Sequence, residues 1–289
     1  MILITGATGN VGRELVKQLD AQGVPLRVVS RDEAKVAPLN QRVERVIGNL
    51  RDRATVQRAV SGVERIFMVS LILDEGQQAD RLLIEEALRA GVRHIVKLST
   101  LGARVAVDSP IGRLHHEGEQ LIEGSGLAWT FLRPGAFMSN TLQWVGTIKS
   151  EGAVFNPMGE GKYAPIAPGD IAGVATLALT ALGHEGKAYE ITGPESFTVR
   201  EQVRILSDVL GKPIKCVDIP VGVAAERLQK SGAPSFLVEA LSYFWNRVKE
   251  GNGEFQNNEV ERLTGHRAQS FEEWCRQRRS SFLYTERHK

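Results

Sequence analysis

A chain of 289 residues can bury a large core, as one large domain or two tightly joined ones. Its hydrophobic fraction of 42% and charged fraction of 24% are ordinary for a soluble globular protein. The formal net charge of +2 is too small to argue for nucleic acid or a membrane surface as a partner, and no apolar run approaches the ~20 residues that span a bilayer.

The chain begins with Ile2, Leu3 and Ile4, an apolar run that reads as a buried strand. Thr5-Gly6-Ala7-Thr8-Gly9-Asn10-Val11-Gly12 follows, with glycines at GxxGxxG spacing. Glu14 to Leu19 then opens an apolar-periodic helix. Strand, glycine turn and helix in that order form the context in which backbone amides receive the diphosphate of a dinucleotide. Gly6 permits the turn, Gly9 lets the backbone approach phosphate, and Gly12 lets the helix pack close to the sheet. Thr8, Asn10 and Val11 complete the expected loop, and the helix N-terminus offers a partial positive charge to the anion.

Further strands are predicted at Leu26 to Ser30, Val43 to Ile47, Arg65 to Ser70, His94 to Ser99 and Ala128 to Leu132. Helical patterns lie between them at Glu33 to Leu39, Arg53 to Val60, Gln77 to Ala90 and Arg113 to Ile122. Near-continuous apolar strands alternating with helices predict a parallel sheet covered on both faces. After Arg133-Pro134-Gly135 the pattern changes. A helix is expected over Phe137 to Lys149, a strand over Tyr163 to Ile166, and a helix capped by Asp170 and running to about Leu182. Tyr189 to Thr192 is expected to return to the main sheet. From Thr198 onward the chain is mostly helical, with one more strand near Lys215 to Ile219. The fold class expected is α/β: a Rossmann-type doubly wound parallel sheet with a smaller, mostly helical C-terminal substrate lobe. The boundaries expected are residues 1–133 joined by about 168–192 for the dinucleotide-binding core, and 134–167 with 193–289 for the substrate lobe.

The opening is a strand and a glycine loop, not a charged leader with a cleavage site, so no signal peptide is expected. Cys216 and Cys275 match no metal or Cys-x-x-Cys spacing and suit free thiols in a reducing cytoplasm, the expected location.

The second strand ends on Arg31. A basic residue there accommodates the extra phosphate of NADP, where an acidic one would hold the ribose hydroxyls of NAD. A guanidinium can pair with phosphate through two hydrogen bonds, Lys35 adds charge four residues on, and Thr8 can donate from the loop. NADP(H) is therefore the preferred cofactor, with NAD(H) left open. Adjacent Asp32 is the residue that could neutralise Arg31. After the third strand, Gly48-Asn49-Leu50 offers the Asn49 carbonyl to an adenine amino group. Ser70 ends the fourth strand, near where a cofactor would lie in this fold.

Trp129-Thr130-Phe131-Leu132-Arg133-Pro134-Gly135-Ala136-Phe137-Met138, Tyr189-Glu190-Ile191-Thr192-Gly193-Pro194 and His115-His116-Glu117-Gly118-Glu119-Gln120-Leu121 join the glycine fingerprint in order. Together they resemble the NmrA-like branch of atypical short-chain dehydrogenases/reductases, over nearly the whole chain. That branch includes NADPH:quinone, azo-dye and triphenylmethane-dye reductases as well as non-catalytic redox sensors. The resemblance implies a bound nicotinamide cofactor, a His115 matching a histidine of quinone-reducing relatives, and a Ser99 near the nicotinamide. It also marks a departure, because many relatives carry Asp where Asn49 stands.

Most short-chain dehydrogenases use a Tyr-x-x-x-Lys pair to exchange a proton with a carbonyl or alcohol oxygen. This chain has four tyrosines, Tyr163, Tyr189, Tyr243 and Tyr284, and none has Lys four residues later. A simple ketone needs an acid to catch the developing alkoxide, whereas a quinone or cationic dye needs it less. Hydride delivery then rests on positioning. His115 and Ser99 are the candidate catalytic residues, and Phe137, Met138 and Trp144 the candidate acceptor pocket, a surface suited to a flat conjugated molecule. Phe137, Thr141, Trp144 and Ile148 also carry the spacing of a core-facing helix stripe. His115 and Glu119, one turn apart, suit a local hydrogen bond better than a metal site, and no metal is expected. Lys97 alternates with Val96 and Leu98 and reads as a lysine snorkelling from the sheet.

The expected function is an NADPH-dependent reductase of a quinone or similar conjugated acceptor, an oxidoreductase whose partner is that small molecule. A non-catalytic NAD(P)-sensing regulatory protein, with a protein partner, is the alternative. A nucleotide-sugar epimerase is disfavoured because that chemistry wants the tyrosine. A homodimer is compatible with either reading.

Overall fold

Ile2–Ile4 (β1) runs inside the sheet, its three side chains buried, Leu3 and Ile4 completely. A computed structural model describes residues 1–71 and 77–283, so Tyr284 lies outside the described residues. Leu26–Ser30 (β2), Glu44–Ile47 (β3), Arg65–Val69 (β4), His94–Leu98 (β5), Ala128–Pro134 (β6) and Lys187–Ile191 lie with β1 in one seven-stranded sheet. Ala153–Asn156 (β7) pairs elsewhere, so Lys187–Ile191 is β8. The strand order is β3-β2-β1-β4-β5-β6-β8, and the pairs from β3 through β6 are parallel. The direction of winding reverses between β1 and β4, the switch point at whose carboxyl ends open α/β sheets bind ligands.

Helices Asn10–Ala21 (α1), Glu33–Val36 (α2), Arg53–Val60 (α3), Gln78–Arg89 (α4), Gly102–Val105 (α5) and Pro110–Glu123 (α6) connect these strands. Side chains fix several of their starts. Asp52 caps α3 by accepting from Thr55 N at 2.9 Å, and Ser109 caps α6 by accepting from Gly112 N at 2.9 Å, with Pro110 in the first turn. The doubly wound α/β fold expected from the alternation is the one present. The helix predicted over Glu33 to Leu39 is shorter, a single turn, and α5 was not predicted.

The chain divides into two compact units. One comprises Met1–Pro134 with Pro168–Glu190. Its core holds Leu3, Val56, Ile66, Met68, Leu83, Ile95 and Phe131. Pro168–Thr180 is the last helix of this unit and is almost wholly apolar on its buried positions. It packs on α1, where Gln18 Nε2 donates to Gly169 O at 3.0 Å, and Arg65 Nη1 donates to the Leu179 and Ala181 carbonyls at its end. Asp170 stands in its first turn, inside the helix rather than at the cap that sequence reading assigns to it.

The other unit comprises Gly135–Ala167 and the chain from Ile191 onward. The continuous helix expected over Phe137 to Lys149 is instead a 3-10 helix, Met138–Trp144, followed by Val145–Glu151 (α7). Pro168–Thr180 is therefore α8. The strand expected at Tyr163 to Ile166 reduces to two isolated bridges, Tyr163 with Phe197 and Ile166 with Phe137. Val199–Leu210 (α9) begins in a capping box built by Thr198 and Glu201, and Lys215–Asp218 (β9) pairs in parallel with β7. Val221–Lys230, Ser235–Lys249, Glu259–Thr264, Phe271–Gln277 and Arg279–Leu283 (α10 to α14) make the rest helical, as expected. The core of this unit gathers Val154, Val203, Leu206, Phe271, Trp274 and Phe282. Among the described residues, no helix is long and apolar enough to cross a membrane.

Candidate functional site

The turn between β1 and α1 is held by backbone contacts that only small residues allow. Gly6 has φ +65°, and a Cβ there would press on the Val69 side chain at 3.1 Å. A Cβ on Gly12 would lie 2.1 Å from the Gly6 carbonyl oxygen. Gly12 thus lets the helix begin directly against the turn, a closer role than the helix–sheet packing expected of it. Gly9 is the N-cap of α1 and contributes no side-chain bond, and the first turn of α1 carries no acidic residue. Helices α2, α3, α6, α9 and α13 have a capping side chain at that position. An α1 start left without a side-chain acceptor suits an anion. Thr8 is half-buried and its carbonyl accepts from Arg13 Nη2 at 3.0 Å. Asn10 is exposed, while Val11 is buried and faces the core.

Arg31 follows β2 and is exposed. Among the described residues no carboxylate pairs with it, because Asp32 turns instead to cap α2 through Ala34 N at 3.0 Å and to meet Lys35 Nζ at 3.8 Å. Asp32 therefore engages Lys35 rather than Arg31, and Lys35 contributes less free charge than its spacing suggests. Asn49 is exposed and its Oδ1 accepts from Arg51 N at 3.1 Å. Leu50 packs on the core of its unit.

Two polar rows lie on one face of the sheet at the ends of β4, β5 and β6. In the first, Lys97 Nζ donates to Ser70 Oγ, and Ser70 Oγ donates to Asp80 Oδ2 at 2.5 Å. Lys97 Nζ also lies 3.8 Å from Asp80 Oδ2. Lys97 is fully buried, so it does not snorkel from the sheet as its alternation suggests. Burial pushes its ammonium down from the ordinary lysine range, and Asp80 and Glu119 oppose that shift. In the second row, Ser99 Oγ donates to Glu119 Oε1, and Arg133 grips both oxygens of Glu119 at 3.0 and 2.6 Å. That hydrogen bond also lifts the Arg133 guanidinium further above its usual range.

Helix α6 packs over both rows. A Cβ on Gly118 would lie 3.0 Å from both Lys97 Nζ and Gln77 Oε1, so glycine is what lets the helix descend onto them. Gln77 has a left-handed backbone, φ 53°, and donates to Leu114 O at 3.2 Å. His115 stands on the same helix with its ring partly open, but its Nδ1 is buried and has no hydrogen-bond partner. The local bond expected between His115 and Glu119 does not form, because Glu119 is taken by Ser99 and Arg133. Burial, aided by the Lys97 charge, pushes the His115 imidazole down to about 3, so it is neutral at neutral pH.

In the other unit, Met138 is packed with Ile148 and Val154 in the core, which corrects its assignment to a pocket wall. Phe137 is half-buried and bridges Ile166, and Trp144 packs partly exposed against the same core. Among the described residues, no cluster of His, Cys, Asp or Glu could hold a metal ion.

The sequence profile of a family described as NAD(P)H-binding matches residues 6–181, which include the glycine turn, both polar rows and α6. The chain belongs to the NAD(P)H-binding family. Similar proteins match over nearly the whole chain. A (4-alkanoyl-5-oxo-2,5-dihydrofuran-3-yl)methyl phosphate reductase of Streptomyces griseus is 39% identical over 98% of this chain and 99% of its own. An NAD(P)H azoreductase of Xenophilus azovorans is 36% identical over 98% and 99%. Among solved structures, the NADPH complex of an NADPH-dependent quinone oxidoreductase from Escherichia coli superposes with a TM-score of 0.84 at 28% identity, covering 95% of this chain and 98% of that one. The residues fit such a cofactor: an α1 start with no side-chain cap and no acid in its first turn for a diphosphate, and an exposed Arg31, which no carboxylate among the described residues pairs, for a further phosphate.

Sequence reading did not find the roles of Lys97, Asp80, Gln77 and Arg133. One signal was available for Glu119. It sits four residues after His115 and three before Ile122, inside the stripe of α6 that faces the sheet, where a carboxylate needs a buried partner.

Proposed function

We propose that this protein is an NADPH-dependent reductase that delivers hydride to a quinone or a similar conjugated acceptor. The observation that carries the proposal is the state of α6. Where a short-chain dehydrogenase carries its phenol and ammonium, this helix carries a neutral imidazole, His115, and a carboxylate, Glu119, already bound to Ser99 and Arg133. Neither of these side chains is an acid poised to protonate an alkoxide. An acceptor whose reduced form spreads its negative charge over a ring, and takes its proton from water, does not require one.

Gly6, Thr8, Gly9, Asn10, Val11 and Gly12 hold the diphosphate on backbone amides at the α1 start, and Arg31 receives the extra phosphate of NADP(H). Asn49 and Leu50 border the adenine, and Ser70 and Ser99 face the other end of the cofactor. When bound, NADPH supplies a hydride from its reduced nicotinamide. His115, neutral, offers a ring N–H rather than an acid proton. Phe137 and Trp144, both partly exposed, are aromatic side chains of the kind on which a flat acceptor stacks. Relatives named as reductases favour this reading over a sensor that binds the dinucleotide without chemistry.

Purified protein mixed with NADPH and menadione, or an azo dye, tests it. Acceptor-dependent loss of the reduced nicotinamide absorbance is expected. Tight NADPH binding with no oxidation by a broad panel of quinones and dyes would move the assignment to the sensor.

A further inference from the structure

Two neighbouring strands end in serines whose hydroxyl protons are already committed. Ser70 Oγ donates to Asp80 and accepts from Lys97, and Ser99 Oγ donates to Glu119. A hydroxyl has one proton and two lone pairs, and an ionised carboxylate can only accept. Arg133 donates to both oxygens of Glu119 through two nitrogens, so those oxygens act as acceptors and the Ser99 hydroxyl donates to one of them. Ser99 therefore has lone pairs to offer and no proton to give. Among the described residues no donor reaches its oxygen. Lys97, Ser70 and Ser99 are all buried.

Resting on the NADP(H) reading above, we propose that Glu119, held by Arg133, is a positioning residue that keeps Ser99 a hydrogen-bond acceptor for the carboxamide amino group of the nicotinamide. The sheet order places this group. The diphosphate turn follows β1, Arg31 lies to one side after β2, and β4 then β5 lie to the other. Neighbouring strands are about 4.8 Å apart, so β5 lies about 10 Å to the side of β1, an offset that a ribose and a nicotinamide ring cover between them. The donors at that end of the cofactor are the ribose hydroxyls and the carboxamide N–H, and Ser99, on the farther strand, meets the farther donor.

The test is binding, with NADP+ and its 3-acetylpyridine analogue, in which a methyl group replaces the carboxamide amino group and the carbonyl is kept. Wild-type protein is expected to bind NADP+ about tenfold more tightly, the worth of one hydrogen bond whose loss strands a buried acceptor. Ser99→Ala keeps the Glu119–Arg133 pair and is expected to bring the two dissociation constants together. Glu119→Gln is expected to do the same by another route. Oε1 accepts from both Ser99 and Arg133, and Oε2 from Arg133, so an amide nitrogen in either place meets a donor; the two-nitrogen grip breaks, and Ser99 is no longer held to one hydrogen-bond direction. A role for Glu119 in stability alone would weaken both ligands equally and leave their ratio at the wild-type value, and that result overturns the proposal. So does a wild-type ratio near one with tight NADP+ binding. Absence of saturable NADP+ binding overturns the functional reading itself, and this inference with it.

Discussion

Arg31 and His115 carry the sharpest expectations at the scale of single residues. Arg31 is exposed, and Asp32, the neighbour able to neutralise it, is occupied with α2 and Lys35. Arg31→Ala should lower NADPH affinity by about ten- to a hundredfold while leaving NADH binding nearly unchanged, because a charge-assisted bond to phosphate is worth about 1.5–3 kcal/mol. Parallel titrations with the two cofactors check it. His115 bears on pH. In the folded chain its imidazole is pushed down to about 3, whereas in the unfolded chain it takes its proton near pH 6.5. Between those values the unfolded state holds the extra proton, so stability falls as pH drops through that window. His94 and His184 are shifted the same way, mainly by burial, so His115→Gln should flatten the dependence without abolishing it. Melting temperatures recorded from about pH 7 down to about pH 4 would show the difference, and an unchanged slope would mean that the native ring can be protonated there.

At the scale of elements, the alternation of apolar strands with helices made the sheet, α1, α3, α4 and α6 readable, since each buries a stripe or a face that its own spacing announces. The glycine turn was readable for a local reason too: Gly6 is required by its own left-handed backbone and Gly12 by the Gly6 carbonyl six residues before it, although Gly6 also meets Val69 from β4. What was not readable was set by distant partners. The 3-10 segment at Met138–Trp144 begins beside the Phe137–Ile166 bridge, which no local pattern encodes. Lys97 was misread because a strand covered on both faces gives no inward or outward sense to an alternating residue. Its partner Asp80 sits on α4, so the pair ties β5 to α4 through the interior. Lys97→Met should therefore destabilise the protein by about 3–5 kcal/mol, because it removes one partner of a buried ion pair. Adding Asp80→Asn should recover most of that loss. Denaturant unfolding of the single and double variants tests the coupling, and a purely additive result would show that the two charges act independently.

Across the whole molecule, both units are interrupted in sequence. The first unit leaves the chain at Pro134 and resumes at Pro168–Glu190. Its returning segment supplies α8, which covers α1, and β8, which takes the sheet's edge beyond β6. A fragment ending at residue 134 would leave the apolar side of α1 and the edge of β6 bare, so it is expected to stay loosely packed or aggregate. A broad, uncooperative thermal transition of that fragment, against a cooperative one for the full chain, would bear this out.

The same interruption sets an order of events during synthesis. A ribosome delivers the glycine turn, Arg31 and both polar rows long before it delivers α8. The first unit must wait, with its sheet incomplete, while the 3-10 segment, α7 and β7 of the other unit emerge in between. The glycine turn, Arg31 and the polar rows are thus made before the segment that completes the unit around them. A cofactor present during translation would have little to hold until Glu190 has left the exit tunnel.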